Sequence, residues 1–433
     1  MDLLRNLFKG DKAVWIIFLF LCLISVVEVF SAASTLTYQS GDHWEPITKH
    51  SIILMVGVFI VLLVHNIPYQ IFRVFPLFLL PVSVVLLAFV MIMGIVTGDR
   101  VNGAARFLEF FGIQFQPSEL AKMAVVIVTA YLLSKFQTED GADRKAFRWI
   151  VWITVVVVAL IAPENASTAA LLFGVVFLMM IVGRIPWRQL LRLAGVVVLV
   201  LTVFVSIIMA LPAKEWKDVP MMHRVETWQN RITGFFDGQE TVPAAKYDID
   251  KNAQVAHANI AIASSNIVGK LPGNSVQRDF LSQAFSDFIF AIIIEELGLV
   301  GGAAVAVLYI WLLMRAGKIA RKCDKSFPAF LVMGIALLLV SQALLNMMVA
   351  VGLFPVTGQP LPLISKGGTS TLVNCAYIGM ILSVSRYVNA REEQRKKEEA
   401  ERQQQMQEAA VAALQAAAMN LAEQSKAGQE EGK

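Results

Sequence analysis

The stretch 277–298, QRDFLSQAFSDFIFAIIIEELG, places carboxylates on both sides of an apolar run. Asp287 precedes the run FIFAIII, and Glu295 and Glu296 follow it. Because a charged side chain in apolar surroundings is costly, Asp287 is a candidate functional residue. The structural alternative is an N-cap, since Ser286 and Asp287 both suit the start of the helix that the run predicts. For Glu295 and Glu296 a structural role as ion-pair partners is the favoured interpretation.

Two other groups of residues are candidates for binding an anion. The first comprises Arg106 and the motif QPSELAK, which contains Glu119 and Lys122. Arg makes bidentate contacts to phosphate and Lys provides a point charge, whereas a Lys122 that pairs with Glu119 and snorkels is the structural alternative. The second is the loop 351–370, rich in Pro and Gly and ending SKGGTS. Free N–H groups at a helix start there would bind an anion, and an ordinary turn is the alternative.

The composition is that of a membrane protein. Of the 433 residues, 57% are hydrophobic and 16% are charged, well below the roughly 25% charged residues of soluble domains. Runs such as 191–211 and 327–350 are long enough to cross about 30 Å of hydrocarbon. The first run, 13–33, is too long for a cleavable signal peptide. The three cysteines form no metal or redox motif, and we expect inert thiols.

We therefore predict an all-α polytopic membrane protein with about ten transmembrane helices. The predicted spans are 13–33, 50–67, 74–97, 117–135, 149–162, 167–183, 190–211, 292–314, 327–350 and 371–388. They make up a membrane domain, 13–388, after a short N-terminal segment, 1–12. A large polar loop, 212–286, separates spans seven and eight, and a polar tail, 389–433, is either a solvated helix or disordered.

The distribution of basic residues predicts the orientation of the chain. Lys and Arg concentrate in alternate connections, and the positive-inside rule places those connections in the cytoplasm. Both termini are then cytoplasmic, and Asp287, Arg106 and the loops 212–286 and 351–370 lie on the outer face. The bases of the inner connections are Arg73, Lys135, Arg144, Lys145, Arg148, Arg184, Arg188, Arg192, Arg315, Lys318, Arg321, Lys322 and Lys325.

Six motifs, in order along residues 10–390, resemble the SEDS family (shape, elongation, division, sporulation), which is represented by RodA and FtsW. The polar C-terminal extension makes the chain more similar to FtsW, the division member. The matching segments are NGAARFL at 102–108, QPSELAK at 116–122, PENASTA at 163–169, GNSVQ at 273–277, SDFIFAIIIEELG at 286–298 and PVTGQPLPLISKGGTS at 355–370.

The resemblance implies a peptidoglycan glycosyltransferase of the bacterial cytoplasmic membrane. Such proteins polymerise lipid II on the outer face, together with a cognate class B penicillin-binding protein and other divisome or elongasome proteins; no nucleic acid is implied. The essential Asp of the family matches Asp287, and its motif Arg and Lys match Arg106 and Lys122. Two other interpretations stay open: a transporter that flips the lipid-linked precursor, and a non-catalytic scaffold for division proteins.

The sequence also departs from the family pattern in three places. Residues 282–286 lack the Glu and His of the usual Pro-Glu-Ala-His-Thr segment. Residues 165–167 read Asn-Ala-Ser in place of Asp-Leu-Gly, and Lys366 stands where the family has Tyr. The roles of the missing side chains cannot be transferred to this chain.

The chemistry that follows from the resemblance has two versions. Asp287 acts either as the base that accepts the proton of the acceptor hydroxyl or as a ligand of Mg²⁺ or Mn²⁺. The developing charge of the leaving pyrophosphate requires cationic or N–H groups. The residues expected to bind the lipid II pyrophosphate are Arg106, Glu119, Lys122, Ser365, Lys366, Gly367, Gly368, Thr369 and Ser370.

Overall fold

The computed structural model describes residues 9–32, 45–96, 108–110, 113–139, 141–211, 253–281 and 284–430, with isolated positions at 225, 228–229 and 233. Arg106 and most of the first half of the large polar loop lie outside these residues.

Helices dominate the described residues. The first six are α1 (Lys12–Ala32), α2 (Glu45–Asn66), α3 (Tyr69–Phe72), α4 (Phe75–Val96), α5 (Pro117–Lys135) and α6 (Arg144–Ile161). The next six are α7 (Ala166–Val182), α8 (Trp187–Ala210), α9 (Ala253–Ala263), α10 (Ile289–Arg321), α11 (Ser326–Ala350) and α12 (Gly368–Glu430). Two small antiparallel hairpins join β1 (Leu108–Phe110) to β2 (Ile113–Phe115) and β3 (Gln137–Thr138) to β4 (Gly141–Ala142).

The long helices of the described residues match the ten predicted spans and confirm the polytopic fold. Eight of them are long and apolar enough to cross a membrane: α1, α2, α4, α5, α8, α10, α11 and α12. The other two are α6, which begins with three basic residues in five positions, and the 17-residue α7. These two helices pack against each other and against α5, so both are part of the bundle.

The helices differ in how far they enter the bundle. Helices α5 and α11 are largely buried and contact each other, and α5, α10 and α12 also share the core. Helix α8, by contrast, buries only Leu190 and Ile208 and presents its remaining apolar surface outwards. An apolar surface of this kind is suited to contact with lipid.

The C-terminal tail is helical. Span ten was predicted to end near residue 388, but α12 continues without interruption to Glu430. Of the two possibilities for the tail, a helix and a disordered segment, the structure therefore contains the helix. The side chains of residues 389–415 are mostly exposed, as the polar sequence predicts.

The cysteines are separate, as expected. Cys22, Cys323 and Cys375 are all free thiols. Burial, together with the neighbouring charge of Asp324, raises the pKa of the Cys323 thiol to about 12. Cys323 is therefore protonated at neutral pH and is a poor nucleophile.

Helix α10 is interrupted, which the sequence prediction missed. The predicted span, 292–314, was continuous, but the backbone at Gly298 is not helical, with φ 72° and ψ −176°. The segment 266–271 runs beside this break and replaces the lost helical bonds. Lys270 N and Leu271 N donate to Glu295 O and Glu296 O at 3.0 and 2.8 Å, and Leu299 N and Val300 N donate to Asn266 O and Ile267 O, both at 3.3 Å. The break divides α10 into a half-helix, 289–297, and a longer segment, 299–321.

We predict that Gly298→Ala destabilises the protein. A Cβ at this position would collide with Ile267 O, and the φ of 72° is unfavourable for any residue with a side chain. The strain alone costs about 1–3 kcal/mol, so thermal unfolding in detergent should begin several degrees lower. Gly317→Ala is the matched control, because it lies in the same helix with nothing within 4 Å of the added methyl. An unchanged melting temperature for Gly298→Ala would contradict the observed break.

Candidate active site

Asp287 lies directly before the half-helix of α10. The helix begins at Ile289, and its N-cap is Phe288, which makes no capping bond with its side chain. Asp287 is half-buried, and Ser286 Oγ donates to its Oδ1 at 3.2 Å. The N-cap interpretation of Ser286 and Asp287 is therefore wrong, because neither residue occupies that position.

Three successive carbonyl groups hold the backbone of this segment. Phe285 O accepts a bond from Lys366 N at 2.9 Å, and Ser286 O accepts one from Ser365 Oγ at 2.7 Å. Asp287 O accepts a bond from Asn346 Nδ2 at 2.9 Å. The position of the Asp287 main chain is thus fixed by the loop before α12 and by α11. Its side chain can extend from a rigid support.

The segment 355–367, which supplies two of these contacts, is neither helix nor strand. Its carbonyl groups accept bonds from side chains of the surrounding helices. The donors Ser25, Tyr309, Gln342 and Asn346 bond to Ile364 O, Pro362 O, Pro360 O and Gln359 O, respectively. Irregular backbone at membrane depth is stable only with such partners. The conformation of the segment therefore depends on the side chains of these helices, whose polar groups in turn are bonded by the segment.

Lys122 and Glu119 form a buried ion pair beneath the segment. Lys122 Nζ lies 2.8 Å from Glu119 Oε1 and donates to Gln342 Oε1 at 3.0 Å. Both side chains are almost completely buried, at 1% and 3% exposed. The pairing that the structural alternative proposed is present, but Lys122 does not snorkel to the surface. Through Gln342 and Pro360, the pair connects α5 to the loop that contacts Asp287.

The starts of α5 and α12 lie side by side near Asp287. Gln116 N, at the N-cap of α5, donates to Thr369 Oγ1 in the first turn of α12 at 3.1 Å. Lys366, just before α12, lies with its Nζ 5.2 Å from the centre of the Phe285 ring. Two helix N-termini and a lysine therefore share this end of the bundle. All three favour a negatively charged ligand.

The structure brings together most of the predicted binding residues at this end. Gly368 is the first residue of α12, and a Cβ at Gly367 would collide with Ser370 Oγ. Lys366 to Thr369 are partly exposed, whereas Ser365 and Ser370 are buried. Arg106 lies outside the described residues, so its place in the site stays a prediction.

Glu295 and Glu296 have the structural role expected for them. Both are fully buried at the end of the half-helix. Glu295 forms an ion pair with Lys270 at 2.6 Å, and Val276 N donates to it at 3.1 Å. Glu296 accepts bonds from Ser31 Oγ and from Ser275 N. The two carboxylates thus fasten the segment 270–278 to the membrane bundle.

A cavity that is open to the outside lies beside the start of α5. Its lining includes the apolar residues Leu87 and Val90 and the polar residues Ser118, Glu164 and Asn165. The Ser118 hydroxyl is buried and has no hydrogen-bond partner among the described residues. The cavity therefore has the mixed lining that suits an amphiphilic ligand.

The sequence analysis missed the polar side chains inside the spans. Gln342 and Asn346 lie one turn apart in α11, an otherwise apolar helix, and each contacts the 355–367 segment. Gln359 continues the network, because its Nε2 donates to Thr168 Oγ1 at 2.7 Å. Two amide side chains four residues apart within a predicted membrane span indicated a structural or functional role, because polar groups there are costly without hydrogen-bond partners.

The sequence is similar to that of a known family. The profile of the cell cycle protein family named for FtsW, RodA and SpoVE matches residues 11–390. A probable peptidoglycan glycosyltransferase FtsW of Halomonas elongata is 32% identical over 384 residues, which cover 86% of this chain and 90% of the relative. The protein of the same description from Geobacter metallireducens is 29% identical over 88% of this chain and 96% of its own length.

Solved structures share the fold. A chain from a peptidoglycan synthase complex, described as coordinating polymerisation and crosslinking, is 25% identical with a TM-score of 0.68; the match covers 88% of this chain and 98% of that one. The rod shape determining protein RodA of Thermus thermophilus is 24% identical with a TM-score of 0.61, again over 88% of this chain and 98% of that one.

We predict that Lys122 and Glu119 are strongly coupled in stability. Lys122→Met leaves the Glu119 carboxylate buried without its partner, which costs about 3–5 kcal/mol. Glu119→Gln leaves the Lys122 ammonium buried without its partner in the same way. The double variant removes both charges and recovers much of the lost stability. A double-mutant cycle on melting temperature in detergent measures the coupling. Additive losses in the double variant would contradict the buried pair.

Proposed function

The chain belongs to the FtsW/RodA/SpoVE family of cell cycle proteins, and on that premise we propose that it is a peptidoglycan glycosyltransferase. In this proposal it polymerises lipid II into β-1,4 glycan strands at the outer face of the bacterial cytoplasmic membrane. The names of the FtsW relatives favour a role in cell division. The observation that carries the proposal is the fixed position of Asp287 next to two helix N-termini.

Asp287 is proposed as the general base. Its main chain is held by Asn346 while its side chain is half-buried, so the carboxylate is both positioned and reachable. It would accept the proton of the C4 hydroxyl of the acceptor sugar as that oxygen attacks the anomeric carbon of the donor. The bond to the pyrophosphate breaks in the same step, and the α-linked donor yields a β-linked product by inversion.

The leaving pyrophosphate requires positive charge, which the adjacent starts of α5 and α12 provide. Lys366 is partly exposed and lies beside them, so we propose that it contacts the pyrophosphate directly. Lys122 is buried against Glu119, and we propose that it positions the loop through Gln342. Arg106 is proposed as a further phosphate ligand.

A divalent cation is compatible with this site. Among the described residues there is no group of three or more acidic, histidine or cysteine side chains that could hold a metal without other ligands. Mg²⁺, however, often binds through one or two carboxylates together with substrate phosphates. Asp287 would be the protein ligand in that arrangement, and Mg²⁺ or Mn²⁺ would neutralise charge on the pyrophosphate.

The cavity beside α5 supports a lipid-linked substrate. Its apolar lining residues, such as Leu87 and Val90, suit an isoprenoid chain, and Ser118 and Asn165 add polar groups to the lining. We propose a class B penicillin-binding protein as the partner, because a chain with this fold occurs in a complex that both polymerises and crosslinks. Both termini are proposed to be cytoplasmic, which places Asp287 outside.

We predict that Asp287→Asn and Asp287→Ala abolish polymerisation while the protein still folds. Loss of a general base lowers the rate by about 100-fold or more. The measurement is glycan formation from labelled lipid II by the purified chain with its penicillin-binding partner. Mg²⁺ or Mn²⁺ is supplied in one series and chelated in a second.

Asp279→Asn is the matched control, since Asp279 is a half-exposed acid on the neighbouring outer segment. It should retain near-normal rates. Comparable rates for wild type and Asp287→Asn would remove Asp287 from the chemistry. Movement of lipid II across the membrane without glycan would instead favour a transporter, and association with the partner without either activity would favour a scaffold.

A second prediction concerns Asn346. Asn346→Leu removes the donor to both Asp287 O and Gln359 O while keeping the number and branching of the side-chain heavy atoms. We expect the polymerisation rate to fall at least tenfold with little change in the apparent affinity for lipid II, because a displaced base affects the chemical step most. Asn389→Leu, at an exposed asparagine of α12, is the control. A normal rate for Asn346→Leu would show that Asp287 needs no such support.

A further inference from the structure

Basic residues cluster at the end of the bundle away from Asp287. Three lie at the start of α6 and three in the α7–α8 turn and the first turns of α8. We call these six residues the basic rim: Arg144, Lys145, Arg148, Arg184, Arg188 and Arg192. Ala142 N donates to Gly183 O at 3.2 Å and joins the two halves of the rim.

The rim and the candidate active site lie at opposite ends of α6 and α7. Helix α6 starts at the rim and ends at Ile161, and α7 starts at Ala166 and returns to the rim. Ile161 and Asn165, at the far ends, line the cavity with Gln116, which contacts Thr369. The rim therefore cannot contribute to the chemistry at Asp287. The positive-inside rule accounts for basic residues at this end in general, but it does not account for the backbone position of Arg184.

The backbone of the α7–α8 turn places a cation where glycine is usual. Arg184 N donates to Ile181 O at 3.0 Å and Ile185 N donates to Met180 O at 3.1 Å, which is the Schellman arrangement of a helix end. Its left-handed position is normally glycine, but here it is Arg184, with φ 55°. Gly141, with φ 132°, packs against Arg184 O and holds the turn. An arginine therefore occupies a position whose backbone conformation disfavours a side chain.

Among the residues that the structure describes, no acidic side chain pairs with the bases of the rim. All six basic side chains are exposed. Elsewhere at this end, bases have acidic partners: Arg315 pairs with Asp11, Lys322 with Glu392 and Arg395 with Asp324. The nearby Asp143 accepts a bond from the Arg144 main chain. The rim is therefore open to an external anion.

The surface next to the rim is that of a membrane interface. Trp149, Trp152 and Trp187 are 55%, 65% and 60% exposed, and tryptophan is enriched at the level of lipid headgroups. Beyond Arg192 the surface of α8 is apolar and exposed, with Val196 and Leu199 as examples. Cations and exposed indoles next to an apolar surface match a molecule with an anionic head and hydrocarbon chains.

We propose that the basic rim binds the phosphodiester headgroup of an anionic phospholipid, whose acyl chains lie along the exposed face of α8. Arginine provides bidentate contacts to phosphate oxygens, and five of the six bases are arginines. Basic pockets between transmembrane helices bind anionic headgroups in this way. The acyl chains would cover the apolar surface of α8, which buries only Leu190 and Ile208.

The test is a titration of the purified full chain, in neutral detergent micelles, with fluorescent phosphatidylglycerol and fluorescent phosphatidylcholine. Each cation near an anionic headgroup strengthens binding roughly fivefold. We therefore expect the triple variant Arg184→Gly, Arg188→Gln, Arg192→Gln to bind phosphatidylglycerol at least tenfold more weakly. Its binding of phosphatidylcholine should not change.

The matched control removes three exposed bases from the same end of the bundle: Lys318→Gln, Arg321→Gln, Lys325→Gln. It should change phosphatidylglycerol binding less than twofold. An equal loss in both triple variants, or equal wild-type affinity for the two lipids, would overturn the proposal. The single variant Arg184→Gly separates binding from folding, because glycine relieves the unfavourable backbone. It should melt no lower than wild type and still bind phosphatidylglycerol severalfold more weakly.

Discussion

The break in α10 leaves main-chain N–H and carbonyl groups without their helical partners. The need to bond these groups determines how the end of the bundle that contains Asp287 is built. A helix in an apolar surrounding can be interrupted only if the freed N–H and carbonyl groups find other partners. The segment 266–271 provides them on both sides of Gly298. Because that segment must stay in place, Glu295 and Glu296 fasten the residues that follow it. The half-helix can then end inside the bundle, with Asp287 at its start.

The same requirement shapes the loop before α12. Residues 355–367 have no regular structure, and side chains from α1, α10 and α11 bond to their carbonyls. Asn346 bonds to Gln359 O and to Asp287 O. One side chain therefore satisfies the loop and positions the candidate base. The polar groups that stabilise the irregular backbone and those that organise the site are largely the same residues, so folding and chemistry constrain them together.

Hydropathy and charge were sufficient to predict the ten long helices, because each needs only a long apolar run. They were insufficient for the half-helix, since FIFAIII has the same composition whether it faces lipid or protein. The break depends on segment 266–271, which is distant in sequence from Gly298. The resemblance to a family located Asp287, Lys122 and the SKGGTS loop. It did not reveal that Lys122 is buried or that Gln342 and Asn346 connect these parts, because such contacts arise only from packing.

The departures from the family pattern at residues 285, 286 and 366 are compatible with the hydrogen bonds that hold the Asp287 main chain. Residues 285–287 are held through their carbonyl oxygens, which every amino acid has, so the changed side chains at 285 and 286 leave these bonds intact. Lys366 likewise contributes its main-chain N–H, and its ammonium lies over the Phe285 ring. A lysine can replace an aromatic residue there because a cation is attracted to the face of a phenyl ring. The lysine therefore places a positive charge just before α12, beside the segment that holds Asp287. The altered motif therefore preserves the hydrogen bonds that hold the Asp287 main chain and adds a cation next to them.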